Sequence, residues 1–124
     1  MRIKAEQKNS RQTPRKVREV ANQVKDKSIV RAMEQLALIE RKAAIVLLKV
    51  MRQALANATN NHCLKIEDLE IDTILVKTGP TYKRYRAVSR GRGHGILKRS
   101  CHVEVILKTK SKETKKIDSK KNKK

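Results

Sequence analysis

Thr78-Gly79-Pro80-Thr81-Tyr82-Lys83-Arg84-Tyr85-Arg86-Ala87-Val88-Ser89-Arg90-Gly91-Arg92-Gly93-His94-Gly95-Ile96-Leu97-Lys98-Arg99 contains no acidic residue. With Lys77 before it, the stretch gathers Lys83, Arg84, Arg86, Arg90, Arg92, Lys98 and Arg99, together with all four glycines and both tyrosines of the chain. Arginine forks pair bidentately with phosphate and stack on bases. Glycine lets a backbone approach a ligand closely, and Tyr82 and Tyr85 offer faces on which unpaired bases can stack. A flexible, solvated loop is the alternative, but a loop needing only solubility mixes signs. On one side of the stretch Leu69 and Ile71 alternate with Glu70 and Asp72, and Ile74 and Val76 continue on the opposite parity. That change predicts a bulge or a strong twist near Thr73. On the other side Val103, Val105 and Leu107 alternate with Glu104 and Ile106. Two strands joined by a basic segment read as one long hairpin whose arms outrun the core, since a structureless loop of that length is unusual in a compact domain. Charge grades from Glu67, Asp68, Glu70 and Asp72 at the hairpin base to pure base at the tip. The tip is therefore the end expected to enter a polyanion.

Upstream the period changes to that of helices. Thr13 is placed to cap a helix that has Pro14 at its first position, where the missing N–H costs nothing. Val17, Val20, Ala21 and Val24 then mark one face. Ser28 is a second cap candidate, and Ile29, Ala32, Met33, Leu36 and Ala37 repeat the spacing. A longer helix is predicted from about Glu40. Its stripe of Ala43, Ala44, Leu47, Val50, Met51, Ala54, Leu55 and Ala58, widened by Ile45, Val46 and Leu48, makes it the central core element. Asn57, Thr59, Asn60, Asn61 and His62 end it. The first stretch, Arg2 to Arg11, reads as an edge strand or an extended arm. At the other end, Lys108 to Lys124 holds nine lysines, two acids and Ile117 as its one apolar residue. Such a segment cannot bury enough to fold and is expected to be a disordered tail.

The whole chain of 124 residues carries a formal charge of +20. A fold that basic repels itself and is stabilised beside a polyanion. No apolar run reaches the length of a membrane span, and Met1-Arg2-Ile3-Lys4-Ala5-Glu6 has no apolar core like that of a signal peptide. That leaves a soluble partner, of which RNA or DNA is the first candidate. With no Trp or Phe, the core is built from aliphatic side chains, which supply less area each than rings do. A second basic cluster, Arg15-Lys16 with Arg18, follows the Thr13-Pro14 start. A phosphate docked there would satisfy free N–H groups and cations together; an ordinary exposed helix face is the plain alternative.

Cys63 and Cys101 are too few and too far apart for a disulfide framework, so free, buried thiols in a reducing compartment are expected. His62-Cys63 and Cys101-His102 could be assembled into a Cys2His2 set. Adjacent ligands strain a tetrahedral site, however, and structural zinc uses pairs two to four residues apart. No metal and no cofactor is expected. No nucleophile-elbow serine or paired carboxylates stand out, and Gly91-Arg92-Gly93-His94-Gly95 lacks the strand–turn–helix setting of a dinucleotide loop. The chain does not read as an enzyme.

The order of parts resembles the large-subunit ribosomal protein L-twenty-two family, from Arg11 to Leu107. Thr13-Pro14-Arg15-Lys16-Val17-Arg18 is similar to the family's helix start. Lys42-Ala43-Ala44 with Ala54-Leu55-Ala56-Asn57-Ala58-Thr59-Asn60-Asn61 is similar to its long helix. Gly79-Pro80-Thr81-Tyr82-Lys83-Arg84 and Leu97-Lys98-Arg99-Ser100-Cys101-His102 flank the hairpin as the family's Gly-Pro-x-x-Lys-Arg and Lys-Arg-x-x-His do. At the tip, Ala87-Val88-Ser89-Arg90-Gly91-Arg92-Gly93 stands where the family commonly has Pro-Arg-Ala-x-Gly-Arg-Ala.

The resemblance implies an α+β fold of three helices packed on a three-stranded antiparallel sheet with a long extended β-hairpin. That is a single domain over residues 1–107, with the hairpin at about 78–99 and the tail at 108–124. It implies a structural constituent of the large ribosomal subunit, in a bacterial cytoplasmic ribosome or an organellar one, that aids folding and assembly of the subunit RNA. Its partners would be large-subunit ribosomal RNA, neighbouring large-subunit proteins, and the nascent polypeptide in the exit tunnel; no homo-oligomer is implied. The RNA-contacting candidates are Arg11, Arg15, Lys16, Arg18, Lys83, Arg84, Arg86, Arg90, Arg92, Lys98, Arg99 and His102. Ser89, Arg90, Gly91, Arg92 and Gly93 would form the tunnel-facing tip, near a constriction shared with the L-four protein and close to where macrolides bind. The alternative is a general nucleic-acid-binding protein of the helix-turn-helix type. Such a reader needs base-reading polar residues on a recognition helix, and the long helix offers mostly Lys49, Arg52 and Gln53 beside a broad apolar stripe.

Overall fold

The computed structural model describes residues 1–110. Its elements, in order, are β1 (Arg2–Ser10), α1 (Pro14–Val24), α2 (Ile29–Leu38), α3 (Lys42–Ala56), β2 (Leu69–Thr78), β3 (Tyr82–Ala87), β4 (Gly93–Lys98) and β5 (Cys101–Thr109). β5 lies at the centre of a three-stranded antiparallel sheet in the order β1-β5-β2, while β3 and β4 pair only with each other. The fold is α+β with three helices, but its five strands form two sheets rather than one sheet with a continuous hairpin.

Alternation on β5 decides which face the helices cover. Cys101, Val103, Val105 and Leu107 are fully buried. They meet α1 and α3 through Val17, Val20, Leu47, Val50 and Met51 in one cluster. On β1, Ile3 and Ala5 stand opposite Leu107 and Val105. On β2 the bulge leaves Asp72 unpaired: Ile71 faces Leu107, Thr73 faces Ile106, and Ile74 and Val76 then face Val105 and Val103. One inserted residue thus returns the apolar set to the helix side of the sheet. The core contains no aromatic ring, and each fully buried Leu or Val stabilises by about 1.5–3 kcal/mol relative to exposure.

The helices follow their spacing, with three adjustments. Thr13 sits at the start of α1 with extended backbone, but its hydroxyl makes no capping bond. α3 begins at Lys42 rather than near Glu40, because Arg41 is still extended. Ala37 and Ile45 point to solvent, so the buried stripes of α2 and α3 are narrower than the sequence implies. α3 widens into a π turn over Asn57–Asn61. It stops where Cys63 takes φ 50°, letting the N–H groups of Cys63 and Leu64 close on the carbonyls of Thr59 and Ala58. Cys63 is exposed, contrary to expectation, while Cys101 is buried. A residue that terminates a helix at positive φ sits at the surface, where no core claims its side chain.

The outer face of the sheet is charged. Glu104, in mid-β5, is held by Lys4 Nζ at 2.8 Å and Lys77 Nζ at 3.1 Å, one from each edge strand. Its carboxyl is held below the ordinary carboxylate value, first by the Lys4 hydrogen bond and then by that of Lys77. Arg2 and Lys108 pair with Asp72, and Lys108 also with Glu70. Lys108 and Thr109 belong to β5, so the tail cannot begin at Lys108 as expected; the rest of that segment, from residue 111, lies outside the described residues.

Candidate nucleic-acid interface

The strands of the three-stranded sheet stop at Thr78 and Cys101, and the chain passes through a neck before β3 and β4 continue as an arm. Ser100, almost wholly buried, donates its hydroxyl to Pro80 O at 2.6 Å, and Gly79 N–H donates to Ser100 O at 3.0 Å. A Cβ on Gly79 would stand 2.6 Å from the Ser100 hydroxyl, so this close approach needs glycine. The hairpin expected to be continuous is broken here because Pro80 supplies no N–H for a ladder bond.

Every residue of β3 and β4 is exposed, and the register sorts them onto two faces. Tyr82–Lys98, Arg84–Ile96 and Arg86–His94 share one face; Lys83–Leu97, Tyr85–Gly95 and Ala87–Gly93 share the other. At the end, Arg90 (φ 59°) and Gly91 (φ 66°) are both left-handed, and Arg92 N–H closes on Ser89 O. That is the twist-compatible hairpin turn requiring φ > 0 at both central residues. The tip therefore falls at Ser89–Gly91, within the segment singled out from sequence, with Arg90 at its apex and Arg92 just beyond.

At the root of the arm the structure brings two distant basic segments together. A cleft of about 620 Å³ lies between the chain entering α1 and the base of β3 and β4. Arg11 and Lys16 line it from one side, and Arg84, Lys98 and Arg99 from the other, with Tyr82 and Leu97 as its apolar surface. No acid lines it. The Arg84 guanidinium stands 5.7 Å from the centre of the Tyr82 ring, close enough for a cation–π contact, and also donates to Lys83 O. Five cations held around one cavity create a positive potential that an anion relieves. The opening of α1 adds to it, because its first turn carries no acid and no side-chain cap.

The other candidates are placed differently. Arg18 donates twice to Val76 O, at 3.0 and 3.3 Å, and so ties α1 to β2. Arg15 pairs with Glu19, which Arg41 also holds. The Nδ1 of His102 accepts the Asn9 N–H at 3.1 Å, at the irregularity between Gln7 and Ser10 in β1. Lys77, counted with the basic stretch, belongs to the Glu104 ion pair. Lys83 and Arg86 stand out along the arm. Sequence reasoning did not find Gln12, Thr13 and Leu97 as cleft residues; nothing in their own spacing marks them, since the cleft exists only once α1 meets the arm. Among the described residues no group of His, Cys, Asp or Glu side chains is arranged to hold a metal, and no helix is long and apolar enough to cross a membrane. The outward face of α2 presents Val30, Arg31, Glu34 and Leu38, a mixed surface that does not favour a DNA-recognition helix.

Fold and site together define a small basic α+β domain that projects a two-stranded cationic arm from an acid-free cleft. Residues 5–108 match the family model described as Ribosomal protein L22p/L17e. The chain is also 44% identical, over 107 residues, to the large ribosomal subunit protein uL22 of Herpetosiphon aurantiacus, an alignment covering 86% of this chain and 95% of that one. The chain belongs to the L22p/L17e family of ribosomal proteins.

Proposed function

We propose that the protein is a structural constituent of the large ribosomal subunit that binds large-subunit ribosomal RNA and aids its folding and assembly. On this reading the cleft at the arm's root grips the phosphate backbone, Lys83, Arg84 and Arg86 follow the RNA along the arm, and the Ser89–Gly93 tip lines the nascent-peptide exit tunnel. The Herpetosiphon relative, named for the large subunit, supports the placement and favours a bacterial ribosome. The observation that carries the reading is the convergence of Arg11 and Lys16 with Arg84, Lys98 and Arg99 on one cavity lacking any acid. Such a cluster raises the free energy of the isolated chain and is relieved by a polyanion.

Reconstitution tests it. The Lys16→Glu/Lys98→Glu double variant is expected to fold but to enter large subunits poorly, and to be stripped from them by a salt wash that leaves the wild type bound. Incorporation equal to wild type would overturn the assignment. For the tip, Ser89→Cys in a background lacking the two native cysteines should cross-link to a stalled nascent chain, whereas Ile45→Cys on α3 should not. A nascent-chain cross-link from Ile45→Cys and none from Ser89→Cys would reverse the proposed orientation.

A further inference from the structure

The two tyrosines of the arm are not equivalent. Tyr82 lines the cleft and carries Arg84 on its ring. Tyr85, on the other face, is 70% exposed, yet its ring reaches across to the opposite strand. Its phenol end occupies the space where a Cβ on Gly93 would stand. Gly93 lies diagonally across the ladder from Tyr85, whose direct partner is Gly95, and such diagonal neighbours are within reach of an aromatic side chain. The phenol end of the ring thus rests against bare backbone at Gly93, while most of the side chain is open to solvent. The glycine is needed for space and not for its torsions, because it is not among the residues at positive φ.

We propose that Tyr85, seated on Gly93, is a prebuilt stacking platform for one unpaired RNA base; this rests on the reading of the arm as RNA-facing. A ring already held in place surrenders little rotamer freedom on binding. Stacking accepts any base, because every base has a π-face. The surrounding chemistry favours a nucleotide over a peptide side chain. Lys83 lies on the same face two residues towards the root, about 7 Å along the strand, where it can meet a flanking phosphate, and residues 77–99 contain no acid to repel one.

The test uses the full chain with two RNA probes, a twelve-residue oligoadenylate and an abasic oligomer of equal length, followed by fluorescence anisotropy. Wild type should prefer the oligoadenylate. Tyr85→Leu should bind it about five-fold or more weakly, the loss expected for one stacked base, while binding the abasic oligomer as before. Tyr85→Phe, which keeps the ring, should retain the preference. Gly93→Ala, which alters neither charge nor the ring itself, should displace the platform and lose part of the preference. Equal binding of both probes by wild type, or an unchanged preference in both Tyr85→Leu and Gly93→Ala, would overturn the proposal. In assembled subunits without a nascent chain, chemical probing should show one unpaired base becoming more reactive in both variants. No such base would leave the platform to a peptide and end the RNA assignment. Normal subunit entry alongside that failure would sink this inference alone, whereas loss of entry by the cleft variants tests the broader reading.

Discussion

Cys63 and Cys101 are the same residue type in opposite settings. Cys101 is fully buried, and burial pushes its thiol above the ordinary value of 9.0 against the lowering influence of the Gln12 backbone and Ser10. Cys63 lies exposed at a helix end. In the native protein, a thiol reagent is therefore expected to label one cysteine per chain quickly and the second only on unfolding. Peptide mapping should place the fast label on Cys63; fast labelling of Cys101 would mean that β5 opens readily. Position 63 also carries a non-glycine residue at φ 50°, a conformation that Cys63→Gly would relieve by up to about 1 kcal/mol. Glu104 makes a prediction with a sign. A folded-state value below the unfolded 4.5 means that the unfolded chain holds the proton more tightly. The stabilisation is full above about pH 4.5 and is lost as pH falls through the depressed value. Both lysines are more than half exposed, so Glu104→Gln is expected to cost only about 1–2 kcal/mol near neutrality. In urea titrations that difference should shrink below pH 4.5. A difference that grew on acidification would refute the ion-pair account.

Among the elements, β2 shows best what a sequence can reveal. The switch of parity between Ile71 and Ile74 marked a bulge or strong twist near Thr73, and the structure resolves it as one extra residue, Asp72, which keeps both pairs on the core side. Deleting Asp72 should therefore be far worse than changing it. The deletion turns either Ile71 or the Ile74–Val76 pair outwards and should cost about 2 kcal/mol or more. Asp72→Asn loses only its surface pairs with Arg2 and Lys108, within about 1 kcal/mol. Thermal melts of the two variants separate the cases, and equal melting points would mean that the bulge does not set the register. The neck was not legible in the same way. Gly79-Pro80 signals a turn, but nothing in the sequence around Ser100 says that its hydroxyl will bond Pro80 O across the neck. The exposed Cys63 was misread for a related reason: residue type favours burial for cysteine, and the left-handed helix ending that overrides it is a property of backbone geometry. Alternation and helical period report which face a residue takes; they do not report which distant segment comes to meet it.

That same distinction governs the molecule as a whole. Charge composition already pointed to a polyanion, but only the fold shows how the charge is sorted. The sheet acids Glu70, Asp72 and Glu104 are engaged by Arg2, Lys4, Lys77 and Lys108 on the outer face. The cations at the α1 entrance and along the arm face no such partners in the cleft. Arg18, grouped with that set in sequence, also ties α1 to β2 through Val76 O. If phosphates occupy the cleft, the two kinds of cation differ in salt dependence. Each phosphate contact contributes about 0.7 to 0.9 to the slope of log affinity against log salt. Lys16→Ala/Lys98→Ala should accordingly flatten that slope by roughly 1.4 to 1.8 for a large-subunit RNA fragment. Lys4→Ala/Lys77→Ala, removing the same charge from the sheet, should leave the slope near wild type while lowering the melting temperature. The comparison holds net charge constant between the two variants, so a general loss of attraction cannot mimic the result. Equal flattening by both pairs would show that binding follows total charge alone, and the cleft would lose its claim to be the grip.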